Sequence, residues 1–222
     1  MPQGLGHCKK RGRGSGSGVK GRGLGSGDHN EIIRLPNPYP QPPTPNPQHQ
    51  NPLMPATRAD LYARLDMLGV AHRTVEHPAI FTVEEGRSFK AAMPGGHSKN
   101  LFLKDKKDRL YLAVCHCDTA VDLVAYGKLA GAKGRLSFGR PDLMTATLGV
   151  IPGAVTPFAL MNESAGALAE VAVDAALMEW PEVWFHPLEN TASTAVAPDG
   201  LIAFIRDCGF APRLVDLGNP GA

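Results

Sequence analysis

The 222-residue sequence predicts one α+β domain, a mixed and largely antiparallel sheet flanked by helices, preceded by a disordered N-terminal tail. Three observations lead to this prediction. Hydrophobic residues make up 43% of the chain, which is enough to bury a core. Helix-like and strand-like runs are mixed without strict alternation, and several strand-like runs are joined by connections too short for a crossover helix. The N-terminal segment shows neither pattern.

Residues 1–53 differ from the rest of the chain in composition and charge. They hold ten of the 25 glycines and nine of the 20 prolines. They contain seven lysines and arginines and two acidic residues, a net charge of +5. Residues 54–222 contain the other 16 lysines and arginines and 19 acidic residues, a net charge of −3. We expect a disordered Gly/Arg- and Pro-rich tail followed by one folded domain over 54–222. The tail is either a solvated extension, an RNA-binding arm, or the product of a reading frame that begins upstream of Met54.

The folded part is expected to begin with two helices separated by a strand. Leucines recur at spacings of four and three and are followed by Gly69, which suits the end of a helix. The run HRTVEH, residues 72–77, predicts a short strand. Thr82 and Glu85 form a capping box for a second helix that runs to about Met93.

The middle of the chain predicts an antiparallel hairpin. The runs KNLFLKD (99–105) and RLYLAVCH (109–116) are rich in strand-favouring residues and are joined by a charged turn. Alternation along the second strand puts Cys115 and Cys117 on one face and His116 on the other. Because no second Cys/His pair stands at ligand spacing, we expect small core residues here and no metal site.

The second half continues the mixture of helices and strands. Val121, Val124 and Leu129 predict one face of a helix, and RPDLMTATLGV predicts another helix that ends at Gly149. The remaining expected elements are strand-like runs at RLSF, FALMN, EVAVDAAL and VWFHPL, then the segment TASTAVA, a capped helix over Pro198–Cys208, and a last run at PRLVDL.

Several classes of function are excluded by what the sequence lacks. It has no run of about 18 apolar residues and no apolar region of a secretory signal near Met1, so we expect a cytoplasmic protein without a membrane partner. Four cysteines are too few for a disulfide scaffold. The sequence has no phosphate-binding loop with lysine, no serine elbow and no dinucleotide fingerprint, and we expect no cofactor.

Three loop segments carry the groups that could take part in chemistry. They are GGHSKN (95–100), GVIPGAVTP (149–157) and FHPLENTAST (185–194). Each also has a structural interpretation, respectively a solvated strand end, a tight turn and an edge strand. Taken one at a time, the structural interpretation is the better one.

Taken together, KNLFLKD, LGVIPGAVTPFAL and FHPLENTAST resemble the free-standing aminoacyl-tRNA deacylases of the YbaK and prolyl-tRNA synthetase editing-domain family. The resemblance spans roughly Thr57 to Val215 and is strongest to the Ala-tRNA(Pro) deacylases, which hydrolyse alanine mischarged on proline tRNA. It implies a substrate of tRNA(Pro) charged with alanine, a transient association with prolyl-tRNA synthetase, no cofactor and a monomeric protein.

The resemblance also implies which residues act. The catalytic positions would be Lys99, Asn100, Gly153, Ala154 and His186. An aminoacyl ester is already activated, so its hydrolysis needs a small pocket, donors for the carbonyl oxygen and a placed water. Backbone N–H groups of Gly153 and Ala154 would serve the carbonyl or the water, and Lys99 would hold the phosphate or ribose of the terminal adenosine. A hydroxyl of that ribose is thought to assist the water in this family, so no side chain is assigned as general base.

Other residues are expected to contact the substrate without taking part in chemistry. Those flanking the acyl pocket are Ser98, Val155, Thr156, Pro157 and Phe158, with Met161 as a further candidate. Lys104 and Arg135 are expected to contact the acceptor stem. They belong to a basic cluster that also contains Lys106, Lys107, Arg109, Lys133 and Arg140. For Lys106 and Lys107 we favour a solvated turn.

Two other functions stay open at this point. A deacylase for another mischarged tRNA, such as Cys-tRNA(Pro) or Ser-tRNA, would show the same motifs, because an acyl pocket can change by one methyl group with no motif altered. A non-catalytic tRNA-binding module that accompanies a synthetase would also fit.

Overall fold

The computed structural model describes residues 54–79 and 93–221 of the chain. The expected disordered tail and most of the expected helix between Thr82 and Met93 lie outside these ranges. The described helices are α1 (Arg58–Met67), α2 (Leu123–Leu129), α3 (Pro141–Leu148) and α4 (Pro198–Asp207). The described strands are β1 (His72–Glu76), β2 (Gly96–Lys104), β3 (Leu110–His116), β4 (Ser137–Phe138), β5 (Leu168–Asp174), β6 (Val183–Phe185), β7 (Ala192–Val196) and β8 (Arg213–Val215).

Helix α1 forms where the leucine spacing predicts it. Thr57 caps it through a reciprocal capping box with Asp60, and Gly69 follows its end with a φ of 66°, in the left-handed region. Leu61 and Leu65 are fully buried. The helix is therefore specified at both ends by local chemistry and along its length by burial.

The strands form one mixed sheet in the order β1-β7-β6-β2-β3-β5-β8, with β4 paired to β2. The pairs β1–β7, β6–β7, β2–β3 and β2–β4 are antiparallel. The pairs β2–β6, β3–β5 and β5–β8 are parallel. The predicted α+β class with a mixed sheet is confirmed, and the KNLFLKD–RLYLAVCH hairpin is its central antiparallel pair.

Side chains alternate between two covered faces of this sheet. On one face, Phe102 and Leu112 pack in the core that contains buried residues of α1, α3 and α4, and we call this the α4 face. On the other, Leu103 and Tyr111 pack with Tyr126 of α2, and we call this the α2 face. Each residue of β2 can therefore be assigned to a face by counting along the strand.

Two predicted strands differ from the structure. The FALMN run is part of a 3₁₀ helix, Pro157–Met161, and not a strand, because the Thr156 hydroxyl caps it and Pro157 has no N–H for a strand ladder. The strand expected over EVAVDAAL ends at Asp174, whose carboxylate caps a second 3₁₀ helix, Ala175–Glu179. In both cases a capping side chain overrides the apolar character of the run.

Two predicted helix features also need correction. Val124 and Leu129 of α2 are 50% and 41% exposed, while Tyr126 is fully buried. Burial of the large Tyr126 ring, whose hydroxyl donates to Glu170, sets the orientation of α2, and the predicted Val124–Leu129 face does not. Helix α4 begins at Pro198 without a side-chain cap. Within the described ranges, no helix has the length and apolar character needed to cross a membrane.

Candidate active site

Two of the catalytic positions predicted from the sequence, Lys99 and His186, follow the point where strands β2 and β6 stop pairing. The parallel pairing of these strands ends at His97 and Trp184. Ser98 Oγ donates to the Trp184 carbonyl at 2.8 Å, one residue beyond the last pair. Two residues beyond the last pair stand Lys99 on β2 and His186 after β6. Leu101 and Leu103 belong to the α2 face, so alternation along β2 places Lys99 on that face as well. His186 lies beyond the end of β6, and its ring faces the Ala192 carbonyl and His77.

Lys99 and Asn100 therefore point to opposite faces. Lys99 is paired with Cys115 of the α2 face, whereas Asn100 is paired with Val114, which belongs to the core of the α4 face. Adjacent residues of a strand cannot present their side chains to one side. The two neighbours in the motif thus have different partners and different roles.

Lys99 is held by the turn that follows β3. Its ammonium donates to the carbonyl oxygens of Cys117 at 2.9 Å and Thr119 at 2.5 Å. These bonds use two of the three ammonium N–H groups and leave one for a ligand. Neither carbonyl carries a formal charge, so the positive charge stays available for an anionic partner.

Asn100 anchors the loop Gly153–Pro157. Its Nδ2 donates to the Val155 carbonyl at 2.9 Å, across 55 residues of sequence. Its Oδ1 is buried and has no hydrogen-bond partner among the described residues. An unsatisfied buried acceptor costs about 1–3 kcal/mol, and a donor from a ligand would remove that cost.

The loop Gly153–Pro157 uses part of its backbone internally. Gly153 has a φ of 90°, which residues with a side chain rarely adopt. The Ala154 N–H donates to the Ile151 carbonyl at 3.0 Å. The donor role predicted for Ala154 would therefore require this bond to break.

The residues that follow the loop belong to the core. Thr156, Pro157 and Phe158 are buried, and Phe158 is fully buried with edge-to-face contacts to Phe185 and Phe204. Phe158 thus lies inside the α4-face core, and its contact with the acyl group stays a prediction. Val155 is partly buried at the edge of that core, as is Met161.

His186 is held as a neutral imidazole. Its Nδ1 bonds to the Ala192 carbonyl at 2.9 Å, and because a carbonyl only accepts, Nδ1 carries the proton and Nε2 carries a lone pair. Burial lowers the pKa of His186, and His77, whose ring centroid is 5.9 Å away, lowers that pKa further. The bond to Ala192 opposes both effects. At neutral pH the site therefore contains a hydrogen-bond acceptor at Nε2.

Sequence reasoning missed Asn190, in the same motif as His186. Asn190 is 5% exposed, and its Nδ2 has no hydrogen-bond partner in the part of the chain that the structure describes. A buried amide just before the fully covered strand β7 is the signal that could have identified it. Asn190 and Asn100 together offer one unsatisfied donor and one unsatisfied acceptor.

The residues predicted to contact the acceptor stem lie at the far end of β2. Lys104 pairs with Asp108, with 2.6 Å between Nζ and Oδ1, so its charge is partly compensated. Arg135 is exposed and lines a cavity of about 390 Å³ together with Lys128, which the sequence analysis did not single out. Neither Arg135 nor Lys128 has an acidic partner among residues 54–79 and 93–221.

One cluster has the residue types of a metal site. The potential donor atoms of His116, Cys117 and Asp118 lie within 4.8 Å of one another. However, His116 Nδ1 already accepts the Asp118 N–H at 3.3 Å, and the Lys99 ammonium is bound to the same turn, where it would repel a cation. Burial raises the pKa of Cys115 to about 12, so its thiol is protonated and it acts as a core residue.

Known proteins resemble both the sequence and the fold. The family model described as "Aminoacyl-tRNA editing domain" matches residues 77–204. Prolyl-tRNA synthetase associated domain-containing protein 1 of Mus musculus is 35% identical over 164 residues, covering 72% of this chain and 95% of that protein. The prolyl-tRNA editing protein ProX of Acetoanaerobium sticklandii is 31% identical over 156 residues, covering 70% of this chain and 94% of that protein.

Solved structures share the fold at lower sequence identity. One described as a candidate trans-editing enzyme for prolyl tRNA synthetase has a TM-score of 0.54 and 21% identity, covering 74% of this chain and 98% of that one. A second, described as a hypothetical protein, has a TM-score of 0.55 and 18% identity, covering 71% of this chain and 97% of that one. These likenesses establish the fold of the described domain.

Proposed function

Because the chain belongs to the aminoacyl-tRNA editing domain family, we propose that it is a trans-editing deacylase that hydrolyses mischarged Ala-tRNA(Pro). The family supports aminoacyl-tRNA deacylation, and the ProX relative supports a proline tRNA as the carrier. The observation that carries the proposal is the geometry of Lys99, which follows the point where β2 stops pairing with β6. There two neutral carbonyls hold a cation on the α2 face, and His186, a neutral imidazole, follows the end of β6.

Substrate binding uses the groups left free at this opening. The remaining N–H of Lys99 donates to a phosphate or ribose oxygen of the terminal adenosine, and its charge favours the anionic RNA. His186 Nε2 accepts a hydrogen bond from a ribose hydroxyl or from water. Asn100 fixes the loop Gly153–Pro157 from the α4 face, and the acyl group would enter the gap beyond the last β2–β6 pair to meet both this loop and Lys99.

Hydrolysis then needs no covalent enzyme intermediate. A water adds to the ester carbonyl carbon, and the negative charge that develops on the carbonyl oxygen is stabilised by the Lys99 ammonium. The bond from the acyl carbon to the ribose oxygen breaks, and that oxygen takes a proton originating from the water. The products are free alanine and tRNA with its terminal hydroxyl restored.

Size explains why such an enzyme would act on alanine. A synthetase pocket built for proline gains only about 1–3 kcal/mol of discrimination against a smaller side chain. A second and smaller pocket can hydrolyse the alanyl ester and exclude proline sterically. This chain would supply that second pocket, in transient association with prolyl-tRNA synthetase.

The test is deacylation of tRNA(Pro) charged with alanine, cysteine, serine or proline. We expect rapid hydrolysis of the alanyl ester and no hydrolysis of the prolyl ester. Preferential hydrolysis of the cysteinyl or seryl ester would reassign the acyl group while keeping the enzyme class. Binding of all four without hydrolysis would show a tRNA-binding module.

Replacing His186 with alanine should have a moderate effect. Loss of one neutral hydrogen bond to substrate or water corresponds to a decrease in kcat/KM of about 3- to 10-fold. Steady-state deacylation, with tRNA binding measured in parallel, checks this. Complete loss of activity with unchanged tRNA binding would contradict the pocket-shaping role and show that His186 transfers a proton.

The combined variant Lys104→Ala/Arg135→Ala should weaken tRNA binding without affecting chemistry. A plot of log affinity against log salt concentration has a negative slope, and each lost phosphate contact makes that slope less negative by about 0.9. Because Lys104 already pairs with Asp108, Arg135→Ala alone should account for most of the change. Hydrolysis of a short aminoacyl-nucleotide should stay at the wild-type rate.

The matched control for Arg135 is Arg206→Ala, which removes an exposed arginine from the last turn of α4. This control should leave the salt dependence unchanged. If Arg135→Ala and Arg206→Ala give the same binding curves, the acceptor stem contacts another surface, and residues 1–53 become the next segment to delete.

Chelation should leave deacylation unchanged. The carbonyl oxygen is served by Lys99, and the His116–Cys117–Asp118 turn lies against a cation. Dialysis against a chelator, followed by metal analysis and a deacylation assay, measures this. If the purified protein contains stoichiometric zinc, and activity is lost when the chelator removes the zinc and returns when zinc is added back, a metal would be assigned to that turn.

A further inference from the structure

A fully buried carboxylate lies close to the proposed site and has no role in the chemistry described above. Asp174 ends strand β5 and is 0% exposed. Its two oxygens have separate partners. Oδ1 accepts the N–H groups of Ala176 at 3.3 Å and Leu217 at 3.4 Å, and these bonds cap the following 3₁₀ helix and hold the C-terminal segment.

Oδ2 of Asp174 instead holds the turn after β3. It accepts the His116 N–H at 3.1 Å and the Thr119 hydroxyl. The carbonyl of the same Thr119, with that of Cys117, accepts the Lys99 ammonium. One threonine thus joins the buried carboxylate on one side to the proposed substrate-binding cation on the other.

The sheet register brings the same three strands together. Lys99 is paired with Cys115, and the parallel pairing of β3 with β5 ends at Val114 and Val173, directly before Cys115 and Asp174. Lys99, Cys115 and Asp174 therefore form a row across β2, β3 and β5 on the α2 face. The opposite charges at its two ends act on the Cys115 thiol in opposite directions, since Asp174 raises its pKa and Lys99 lowers it.

We propose that Asp174, acting through Thr119, is a positioning residue that fixes the Lys99 ammonium for the substrate. The proposal rests on the proposed function, in which Lys99 contacts the aminoacyl-adenosine end. Asp174 does not contact the ammonium. It orders the turn whose carbonyls bind the ammonium, through its bonds to the His116 N–H and the Thr119 hydroxyl.

Thr119→Val is the variant that isolates this role. It removes the hydroxyl that reaches Oδ2 and leaves the Oδ1 bonds to Ala176 and Leu217 in place. Thr119→Ser keeps the hydroxyl and should behave as wild type. Thr74→Val is the matched control, because it removes a half-buried threonine hydroxyl that bonds to Tyr62 and Thr194, away from Lys99.

The first measurement is the reactivity of Lys99 towards acetic anhydride, followed by peptide mass spectrometry. It does not depend on deacylase activity. In Thr119→Val the Lys99 amino group, released from one of its two hydrogen bonds, should be acetylated up to about tenfold faster relative to the other lysines. Thr119→Ser and Thr74→Val should show the wild-type labelling rate.

The second measurement separates kcat from KM on Ala-tRNA(Pro). Thr119→Val should lower kcat by about tenfold and change KM much less, because the misplaced charge acts mainly on the transition state. In a Lys99→Met background the same change should cause no further loss, since the effect passes through Lys99.

The outcomes distinguish this inference from the proposed function. Unchanged Lys99 labelling in a folded Thr119→Val protein would overturn the positioning role, whatever the activity. Faster labelling specific to Thr119→Val would support that role even if no aminoacyl-tRNA is hydrolysed by the wild type, and in that event the proposed function alone would be refuted. If Thr119→Val and Thr74→Val change the labelling rate of Lys99 equally, the change reflects a general destabilisation of the fold, and the inference would be overturned.

Discussion

Lys99→Ala is expected to lower kcat/KM for Ala-tRNA(Pro) by at least about 100-fold, the effect of removing one charged group from a developing oxyanion. The fold should persist, because the half-buried side chain contributes two hydrogen bonds to backbone carbonyls and no apolar packing in either core. The substitution removes one positive charge that would contact both the terminal adenosine and the transition state. The loss should therefore appear in KM as well as in kcat.

The measurement pairs single-turnover deacylation with thermal unfolding. Lys99→Met, which keeps most of the aliphatic stem, controls for lost volume and should be as inactive as Lys99→Ala. A folded Lys99→Ala protein that hydrolyses the alanyl ester at the wild-type rate would remove Lys99 from the mechanism. Lys128→Ala, an exposed lysine beside Arg135, should affect tRNA affinity only.

Local signals in the sequence were sufficient for most of the fold. The leucine spacing that ends at Gly69, the hairpin around its charged turn and the glycine that ends α3 each act over a few residues, and the structure contains all three. Where prediction was wrong, one or two side chains decided the outcome. Tyr126 set the orientation of α2, and Thr156 with Pro157 produced a 3₁₀ helix from an apolar run.

The candidate site was located by its motifs, but its contacts were not predictable from them. Strand alternation alone requires Lys99 and Asn100 to face opposite ways, so this point was available from the sequence. The partners of Lys99 were not, because Cys117 and Thr119 lie 18 and 20 residues away and are brought close by the β2–β3 register. Asp174 reaches the same turn only through the parallel pairing of β3 with β5.

Asn100→Asp should impair catalysis as severely as loss of Lys99, for a different reason. The substitution replaces the Nδ2 donor with an oxygen that faces the Val155 carbonyl at hydrogen-bond distance. Two acceptors repel each other, and the carboxylate would also be charged in a buried position. The loop Gly153–Pro157 then loses its anchor on β2, and we expect kcat/KM to fall by about 100-fold.

Protonation should partly reverse the Asn100→Asp defect. Burial raises the pKa of a carboxyl group, and the protonated acid can again donate to Val155. The activity of Asn100→Asp relative to wild type should therefore rise as the pH falls from 7 towards about 5. Asn100→Ala removes the donor without adding an acceptor, so it should lose less activity, about tenfold, and show no such recovery.

Asn162→Asp provides the matched control for Asn100→Asp. Asn162 is also a partly buried asparagine whose Nδ2 donates to a backbone carbonyl, that of Leu148, at 2.8 Å, and its Oδ1 accepts the Ala56 N–H. Both variants should lower the melting temperature, by about 2–4 °C per kcal/mol of lost stability. Only Asn100→Asp should lose deacylation at a temperature where both proteins are folded. If the two variants keep equal activity, Asn100 stabilises the fold without positioning the loop for catalysis.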